Sequence, residues 1–319
     1  MDDQYQGCLL DFASIKPADL DLTALWSLPV RWQTYEETSA INLSSRLHGQ
    51  EIILTNKVEL DEATLAQNPQ IKLIIILATG TNNVDLQAAS ALGIAVCNIE
   101  NYSTQAVAQH IMMLILALKT NLLSYCDAVV NKKWSQSNSF CMLDYPIEVL
   151  AGQTLAVLGF GHIGKQVKKL AEAFGMQVLV CESLYSSKPN RTSFENCLQE
   201  ADVVSLHLPL VTATKNLIDA TALAMMKPSA VLVNVARGGL VDEKALLTAL
   251  KAGKLAAAGL DVLQHEPPQI DNPMLLNTPN LIVTPHCAWG ARQSRQKLMD
   301  NVVDILLGFI QGKPIKPIN

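Results

Sequence analysis

Short apolar runs alternate with amphipathic stretches along most of the 319-residue chain. Strands that alternate with helices in this way indicate a parallel sheet with helices on both faces. In the first hundred residues, four strands are predicted, at 7–10, 51–55, 73–78 and 94–98, and helices are compatible with the stretches at 61–67 and 84–92. This part of the chain therefore predicts an α/β domain.

The middle of the chain interrupts this alternation. Residues 103–123 are apolar nearly all round and predict one long buried helix, for which Ser103 or Thr104 can serve as the N-cap. Residues 124–150 include Trp134 and lack clear periodicity. They predict an irregular excursion that could pack on another subunit.

From residue 153 the alternation of strands and helices resumes. Strands are predicted at 154–158, 177–181, 202–206, 230–235, 256–260 and 281–283, and helices at 163–174, 193–199, 221–226, 242–252 and 291–310. This order predicts a doubly wound sheet, which binds ligands at the carboxyl ends of its strands. The last helix follows the final strand and is expected to return to the first domain.

Composition narrows the function classes. A net charge of −5 and the lack of basic runs argue against a nucleic-acid partner. The longest uninterrupted apolar run, 111–118, is too short to cross a membrane, and the acidic start of the chain lacks the apolar segment of a signal peptide. A cytoplasmic protein without a membrane partner is expected.

The seven cysteines form no CxxC pair and are expected to be mostly buried, reduced thiols. Cys287 follows His286 and is kept as a candidate reactive thiol. His110 lies in the long apolar helix and is expected to be a satisfied core histidine. No spacing of histidine, cysteine and carboxylate matches a metal site, so none is predicted.

A glycine motif lies near the middle of the chain. The apolar run 155–158 is followed by Gly159, Gly161 and Gly164 at G-x-G-x-x-G spacing, and a helical pattern begins directly afterwards. The first glycine permits a tight turn, the second lets backbone approach a pyrophosphate, and the third lets helix and strand pack closely. A second strand ends at Glu182, near the distance along the chain at which a carboxylate contacts ribose hydroxyls. These features predict a dinucleotide site.

Reduction of a carbonyl by a nicotinamide cofactor requires a proton donor and a cation. Arg237, Glu266 and His286 each follow a different predicted strand of the half with the glycine motif. Arginine matches a carboxylate, histidine transfers protons near neutral pH, and glutamate can orient an imidazole. Each could alone be structural, but together they predict a reduction site. His162 is expected to face the phosphates through its backbone in the glycine loop, and His207 to shape the cofactor pocket. Neither is expected to act as the acid.

These stretches resemble the D-isomer-specific 2-hydroxyacid dehydrogenase family over nearly the whole chain. The motifs that support this are residues 158–164, 207–210, 234–239, 259–266 and 284–289. Residues 78–85 and 101–104 resemble the glycerate dehydrogenase (hydroxypyruvate reductase) branch. The resemblance implies two Rossmann-like doubly wound parallel-sheet domains with an interdomain cleft. A flavodoxin-like substrate domain would comprise 1–101 plus 291–319, and an NAD-binding Rossmann domain would comprise 102–290.

The resemblance also implies roles for individual residues. His286 would protonate the carbonyl oxygen and pair with Glu266, Arg237 would bind and polarise the 2-oxo acid, and the loop of Thr79, Gly80 and Thr81 would hold the substrate carboxylate. A homodimer is expected, in which Trp134 is a candidate to reach the partner's substrate. The implied cofactor contacts, besides the three glycines, are Thr104, His162, Ile163, Glu182, Leu208, Pro209, Val235, Ala236 and Asp261.

Family members often carry aspartate where this chain has Glu182. A carboxylate still repels a 2′-phosphate, so NAD is favoured over NADP, although Ser183, Ser186 and Lys188 follow closely and could soften this preference. The predicted reaction is hydride transfer between NADH and a small 2-oxo acid, with hydroxypyruvate or glyoxylate as the best candidates. The alternatives are another 2-oxo acid, such as pyruvate or phenylpyruvate, and a non-catalytic NADH-sensing binder that resembles a corepressor.

Overall fold

The computed structural model describes residues 4–183, 189–276, 278, 280–313 and 315–319. The chain divides into two compact units: residues 1–103 with 290–319 form unit 1, and residues 104–289 form unit 2. Ser186 and Lys188, which were considered for the cofactor preference, lie outside the described residues.

Unit 1 contains a parallel sheet of five strands in the order β2-β1-β3-β4-β5, the flavodoxin-like order. Its core lies between the sheet and its helices and includes Leu47, Ile53 and Ile74. The elements are β1 (Tyr5–Leu9), α1 (Thr23–Trp26), β2 (Val30–Thr34), α2 (Ala40–Leu47), β3 (Ile52–Thr55), α3 (Glu62–Ala66), β4 (Leu73–Ile76), α4 (Leu86–Ala91) and β5 (Ala95–Asn98).

Strand β2 was missed by the sequence analysis. Its sequence, Val-Arg-Trp-Gln-Thr, is mostly polar, and only Val30 is buried. It lies at the edge of the sheet and pairs only with β1 among the described strands. An edge strand of this kind lacks the continuous apolar run by which the other strands were found.

Unit 2 contains a parallel sheet of six strands in the order β11-β10-β9-β8-β6-β7. The strand order reverses between β6 and β8, which is the switch point where doubly wound sheets bind ligands. The elements are α5 (Thr104–Lys119), α6 (Leu122–Val130), β6 (Thr154–Leu158), α7 (His162–Ala173), β7 (Gln177–Val180), α8 (Phe194–Glu200), β8 (Val203–Leu206), α9 (Ala220–Met225), β9 (Val231–Asn234), α10 (Glu243–Lys251), β10 (Ala257–Leu260) and β11 (Leu281–Val283). Helix α11 (Arg292–Ile310) then returns to unit 1.

The predicted helix over 103–123 is two helices in the structure. Helix α5 ends at Lys119, and Asn121 adopts a left-handed conformation (φ 50°) before α6 begins. Asparagine tolerates this conformation better than most residues, so the break falls where the chain permits it. The excursion predicted from residue 124 therefore begins inside a helix.

Helix α5 is buried because it packs on one face of the sheet of unit 2. A Cβ added to Gly259 of β10 would lie 3.2 Å from Leu114 Cβ, so the glycine lets the helix come close to the strand.

In the described part of the chain, no single helix is long and apolar enough to span a membrane. Only the bent pair α5 and α6, with 62° between the helices, meets the criteria of length and composition when taken together.

Candidate active site

The candidate residues of unit 2 follow the carboxyl ends of its strands. Gly159 follows β6, His207 follows β8, Arg237 comes three residues after β9, Asp261 follows β10 and His286 comes three residues after β11. Because all six strands are parallel, these loops emerge at one edge of the sheet.

The three glycines of the motif meet different surroundings. A Cβ on Gly159, whose φ is +96°, would lie 2.7 Å from the carbonyl of His207, and one on Gly164 would lie 2.3 Å from the carbonyl oxygen of Gly159. A Cβ on Gly161 would meet no described atom within 4 Å. Gly159 and Gly164 are therefore required by the fold itself, whereas the space beside Gly161 is open.

That open space lies at the start of α7, for which Gly161 is the N-cap without a side-chain hydrogen bond. The first backbone N–H groups of a helix lack partners within the helix and attract anions. His162 and Ile163, the first two residues of α7, present such groups. The loop therefore fits the pyrophosphate of a dinucleotide on its own geometry.

His286 and Glu266 form the closest pair of candidate catalytic groups. The distance between His286 Nδ1 and Glu266 Oε2 is 2.5 Å, and both side chains are about one-third exposed. The other oxygen of Glu266, Oε1, accepts a hydrogen bond from Leu263 N at 2.8 Å. The carboxylate is thus fixed by its own loop, and it holds the imidazole through Nδ1, so Nε2 is the ring nitrogen that Glu266 does not contact.

The loop that carries His286 is held by Asp261, which is almost fully buried. Its carboxylate accepts hydrogen bonds from Thr284 Oγ1 (2.5 Å), Cys287 N (3.0 Å) and Ala288 N (2.9 Å). The backbone carbonyl of Asp261 accepts a further bond from His286 N at 2.8 Å. His286 has a left-handed backbone (φ 51°), and these four bonds hold the loop in that conformation.

Arg237 lies in the loop after β9, where Asn234 shapes the backbone. The side-chain amide of Asn234 donates to Arg237 O (2.8 Å) and accepts from Ala236 N (3.1 Å). A Cβ on the next residue, Gly238, would lie 2.0 Å from the carbonyl of Leu263. The arginine loop and the Glu266 loop are therefore in backbone contact, which couples their positions.

His207 is the unusual member of the predicted cofactor pocket. Its residue surface is partly accessible, but Nε2 is out of contact with solvent and has no hydrogen-bond partner in the described part of the chain. Burial lowers the pKa of the ring to about 3, so the imidazole is neutral at physiological pH. The role expected of His207 in the cofactor pocket stays a prediction.

The remaining predicted cofactor contacts lie in the same loops or at the start of α5. Leu208 and Pro209 follow β8, Val235 and Ala236 follow β9, Thr104 begins α5, and Glu182 is exposed just after β7. In unit 1, the loop after β4 is fixed by hydrogen bonds from Thr79 Oγ1 to Ile99 O (2.9 Å) and from Asn98 Nδ2 to Thr79 O (2.7 Å). These placements leave the proposed contacts of Thr79, Gly80 and Thr81 with substrate as predictions.

His110 makes a contact that its sequence pattern did not predict. Its Nε2 lies 3.0 Å from Thr284 Oγ1 and 3.5 Å from Asp261 Oδ1. Burial lowers the pKa of His110, and the Asp261 carboxylate opposes that shift. His110 is thus largely buried, with 12% of its side chain exposed, and its ring is hydrogen-bonded as expected, but within a polar network beside the His286 loop. A single imidazole in an otherwise apolar helix was the signal that could have revealed it.

All seven cysteines are free thiols, and four of them are buried. Cys126 and Cys287 are exposed and Cys141 is intermediate, so the expectation of mostly buried thiols is confirmed for four of the seven. Cys287 Sγ lies 3.7 Å from Asp261 Oδ1. Partial desolvation and the nearby carboxylate raise the pKa of the Cys287 thiol.

The glycine loop and the imidazole–carboxylate pair follow strands of the same doubly wound sheet, an arrangement typical of dinucleotide-dependent oxidoreductases. The family model described as "D-isomer specific 2-hydroxyacid dehydrogenase, NAD binding domain" matches residues 112–288. The chain belongs to this family of D-isomer-specific 2-hydroxyacid dehydrogenases, and its cofactor is a nicotinamide dinucleotide.

The chain is similar to named relatives over most of its length. It is 44% identical to glycerate dehydrogenase of Methylorubrum extorquens, over 91% of this chain and 92% of the relative. It is 35% identical to hydroxypyruvate reductase of Blautia hydrogenotrophica, over 98% of both. Among solved structures, D-lactate dehydrogenase of Aquifex aeolicus, in complex with NAD and lactic acid, matches with a TM-score of 0.81 and 28% identity, over 96% of both chains.

Proposed function

We propose that this enzyme uses NADH to reduce hydroxypyruvate to D-glycerate, and that it also reduces glyoxylate to glycolate. The structural observation that supports the chemistry is the Glu266–His286 pair at the strand ends of the nucleotide-binding unit. The choice of substrate is supported by the relatives named glycerate dehydrogenase and hydroxypyruvate reductase, which align over nearly the whole chain.

In the proposed mechanism, the bound nicotinamide supplies the hydride. The protonated imidazole of His286 donates the Nε2 proton to the carbonyl oxygen, while Glu266 holds Nδ1 and thereby the orientation of the ring. In the reverse direction, the neutral ring accepts the proton of the hydroxyl group at Nε2. Glu266 thus acts by positioning, and His286 is the proposed catalytic acid.

The negative charge that develops on the carbonyl oxygen requires a cation. We assign this role to Arg237, whose planar guanidinium also matches the geometry of a carboxylate. Its loop is in backbone contact with the loop that holds Glu266, which supports a coordinated position for the two groups. We propose that Thr79, Gly80 and Thr81 hold the substrate carboxylate through backbone N–H groups.

We propose that NAD is preferred to NADP. Glu182 follows β7 and is exposed, at the position where an acidic side chain contacts the ribose hydroxyls in dinucleotide-binding sheets. A carboxylate there repels a 2′-phosphate. The ratio of kcat/KM for NADH to that for NADPH is therefore expected to be well above one, and to fall in a Glu182→Gln variant.

The test of substrate and class is a panel of 2-oxo acids. Oxidation of NADH is measured with hydroxypyruvate, glyoxylate, pyruvate and phenylpyruvate, and kcat/KM should be highest for hydroxypyruvate. A higher kcat/KM for pyruvate would refute the choice of hydroxypyruvate and assign the enzyme a different 2-oxo acid within the family. An absence of turnover with every acid, in protein that binds NADH, would favour the non-catalytic binder.

The acid is tested by His286→Ala, which should lower kcat by about 100-fold or more and leave the Kd of NADH unchanged, because proton transfer contributes about that factor. His265→Ala is the matched control, since His265 is an exposed histidine that precedes Glu266 in the same loop. Equal losses in the two variants would contradict the assignment.

We further propose a homodimer that uses the segment from α6 to residue 150. Exposed apolar residues are frequent there and include Val130, Trp134, Phe140 and Val149. Trp134 is about half exposed, and its Nε1 donates to Phe140 O at 3.1 Å, so this stretch has an internal structure that a partner could cover. Light scattering on Val130→Lys, Phe140→Lys protein should show a monomer if this segment forms the interface.

A further inference from the structure

His110, Asp261 and Cys287 come from three separate parts of unit 2 and meet at the His286 loop, to which Cys287 itself belongs. His110 lies on α5, Asp261 follows β10, and Cys287 lies in the loop after β11. One nitrogen, one carboxylate oxygen and one sulfur of these residues all lie within 4.8 Å of one another. The three residues are called the His110–Asp261–Cys287 triad below.

The spacing of the ligand atoms suits a tetrahedral metal ion. His110 Nε2 lies 3.5 Å from Asp261 Oδ1, and Cys287 Sγ lies 3.7 Å from the same oxygen. Ligands at 2.0–2.3 Å from zinc in tetrahedral geometry are separated by about 3.3–3.7 Å. Two of the three separations in the triad thus already match those of a bound ion.

The chemistry of the triad selects among metals. Imidazole, thiolate and carboxylate together are borderline-soft ligands that suit zinc, whereas magnesium and calcium prefer sets made only of oxygen. Three protein ligands leave the fourth position of a tetrahedral ion open. Ala288 N donates to the other oxygen of Asp261, Oδ2, at 2.9 Å, and a bond of this kind orients a metal-binding carboxylate. Oδ1 itself accepts from Thr284 Oγ1 and Cys287 N, and a bound ion would take the place of the Thr284 hydroxyl between Oδ1 and His110 Nε2.

We propose that the triad is a binding site for Zn²⁺ and that zinc bound there inhibits the enzyme. When the ion binds, its bonds to sulfur, nitrogen and oxygen form, and the protons of the Cys287 thiol and of His110 Nε2, if present, leave to solvent. The metal changes no oxidation state. Cys287 is the neighbour of His286, and Asp261 holds the His286 loop by hydrogen bonds. An ion bound to Cys287 and Asp261 would therefore restrain that loop and occupy the Asp261 carboxylate.

The inhibition rests on the proposed function of His286, but the binding does not, so binding is measured first and without substrate. Co²⁺ is added to the metal-free enzyme as a spectroscopic probe, and Zn²⁺ is then used to displace it. A thiolate-to-cobalt charge-transfer band is expected in the wild type and in Cys126→Ser, which removes the other exposed cysteine. The band should be absent in Cys287→Ser, and zinc affinity there should fall by about 100-fold or more.

A second measurement uses only the wild-type protein. Alkylation of Cys287 by iodoacetamide, followed by peptide mass spectrometry, should slow at least tenfold when Zn²⁺ is present, while alkylation of Cys126 keeps its rate. Equal rates at Cys287 with and without Zn²⁺, or equal zinc affinity in the wild type and Cys287→Ser, would overturn the proposed site.

Inhibition is then measured against the activity of each variant without metal. Zinc should inhibit the wild type and Cys126→Ser at similar concentrations, and Cys287→Ser and His110→Gln should require about 100-fold more. Zinc that binds the triad without inhibiting turnover would refute the inhibitory role but keep the site. Failure of the 2-oxo-acid panel would refute the proposed function and leave the binding result standing.

Discussion

Two glycine-to-alanine substitutions in the glycine loop should separate its contribution to stability from its contribution to cofactor binding. Gly164→Ala places a methyl group 2.3 Å from the carbonyl oxygen of Gly159, where ordinary contacts begin near 3.4 Å. Strand β6 and helix α7 must therefore move apart by about 1 Å. Overpacking of this kind costs about 1–3 kcal/mol, against which the better helix propensity of alanine returns about 1 kcal/mol.

Gly161→Ala has the opposite profile. Its methyl group meets no described atom within 4 Å, and its φ of −79° suits alanine. The loss of chain entropy in the unfolded state even favours the variant by about 0.4–1 kcal/mol. The methyl group instead fills the space beside the helix N-terminus, so the Kd of NADH should rise at least tenfold, which corresponds to about 1.4 kcal/mol.

The assay pairs urea denaturation with titration of NADH by fluorescence. Gly164→Ala should lower the free energy of unfolding by up to about 2 kcal/mol, and Gly161→Ala should keep it within about 1 kcal/mol of the wild type. Normal NADH affinity in Gly161→Ala would refute the inference that the open space receives the pyrophosphate. A loss of stability in Gly161→Ala without one in Gly164→Ala would refute the packing argument.

Three further predictions concern stability. Burial lowers the pKa of His207 to about 3, so below about pH 6.5 the unfolded chain binds a proton that the folded chain does not. Between pH 6.5 and 5 this residue should lower the free energy of unfolding by about 1.7 kcal/mol, and His207→Asn should remove that contribution in urea titrations. Arg295→Leu should lower the free energy of unfolding by about 3 kcal/mol in the same titrations. The reason is that the buried guanidinium donates to the carbonyls of residues 15, 16 and 290 and to Asp19. The control is Lys297→Ala on the same helix, which should change stability by less than about 0.5 kcal/mol. Asp242→Ala removes the N-cap acceptor of α10 and should cost about 1 kcal/mol, measured as a shift of the urea midpoint.

The sequence was most informative where a strand is buried on both faces. Strand β6, for example, was predicted with the bounds that the structure has, because every residue from Leu155 to Leu158 is buried. Strand β2 escaped notice because a sheet edge needs no continuous apolar run. The break between α5 and α6 depends on one left-handed residue, Asn121, which hydrophobic periodicity does not report.

In the candidate site, too, local features could be predicted from the sequence and long-range contacts could not. The glycine loop and the residue types after each strand could be predicted, because motif spacing and strand ends are local features. The contact of His110 with Thr284 could not, since the two residues are separated by 174 positions along the chain. Such contacts depend on how helix α5 lies on the sheet, and this arrangement is fixed by packing.

The discontinuity of unit 1 means that its C-terminal segment is synthesised after the whole of unit 2. Arg295 and Gln296 of α11 bond to Asp19 and Asp21, and the side chain of Asn319 bonds to the backbone of β5. The first hundred residues therefore lack these contacts until a segment that follows unit 2 in the chain has been synthesised. Unit 2, by contrast, is one continuous stretch of the chain. The ribosome therefore delivers a nucleotide-binding unit with its His286 loop before the other unit has its last helix.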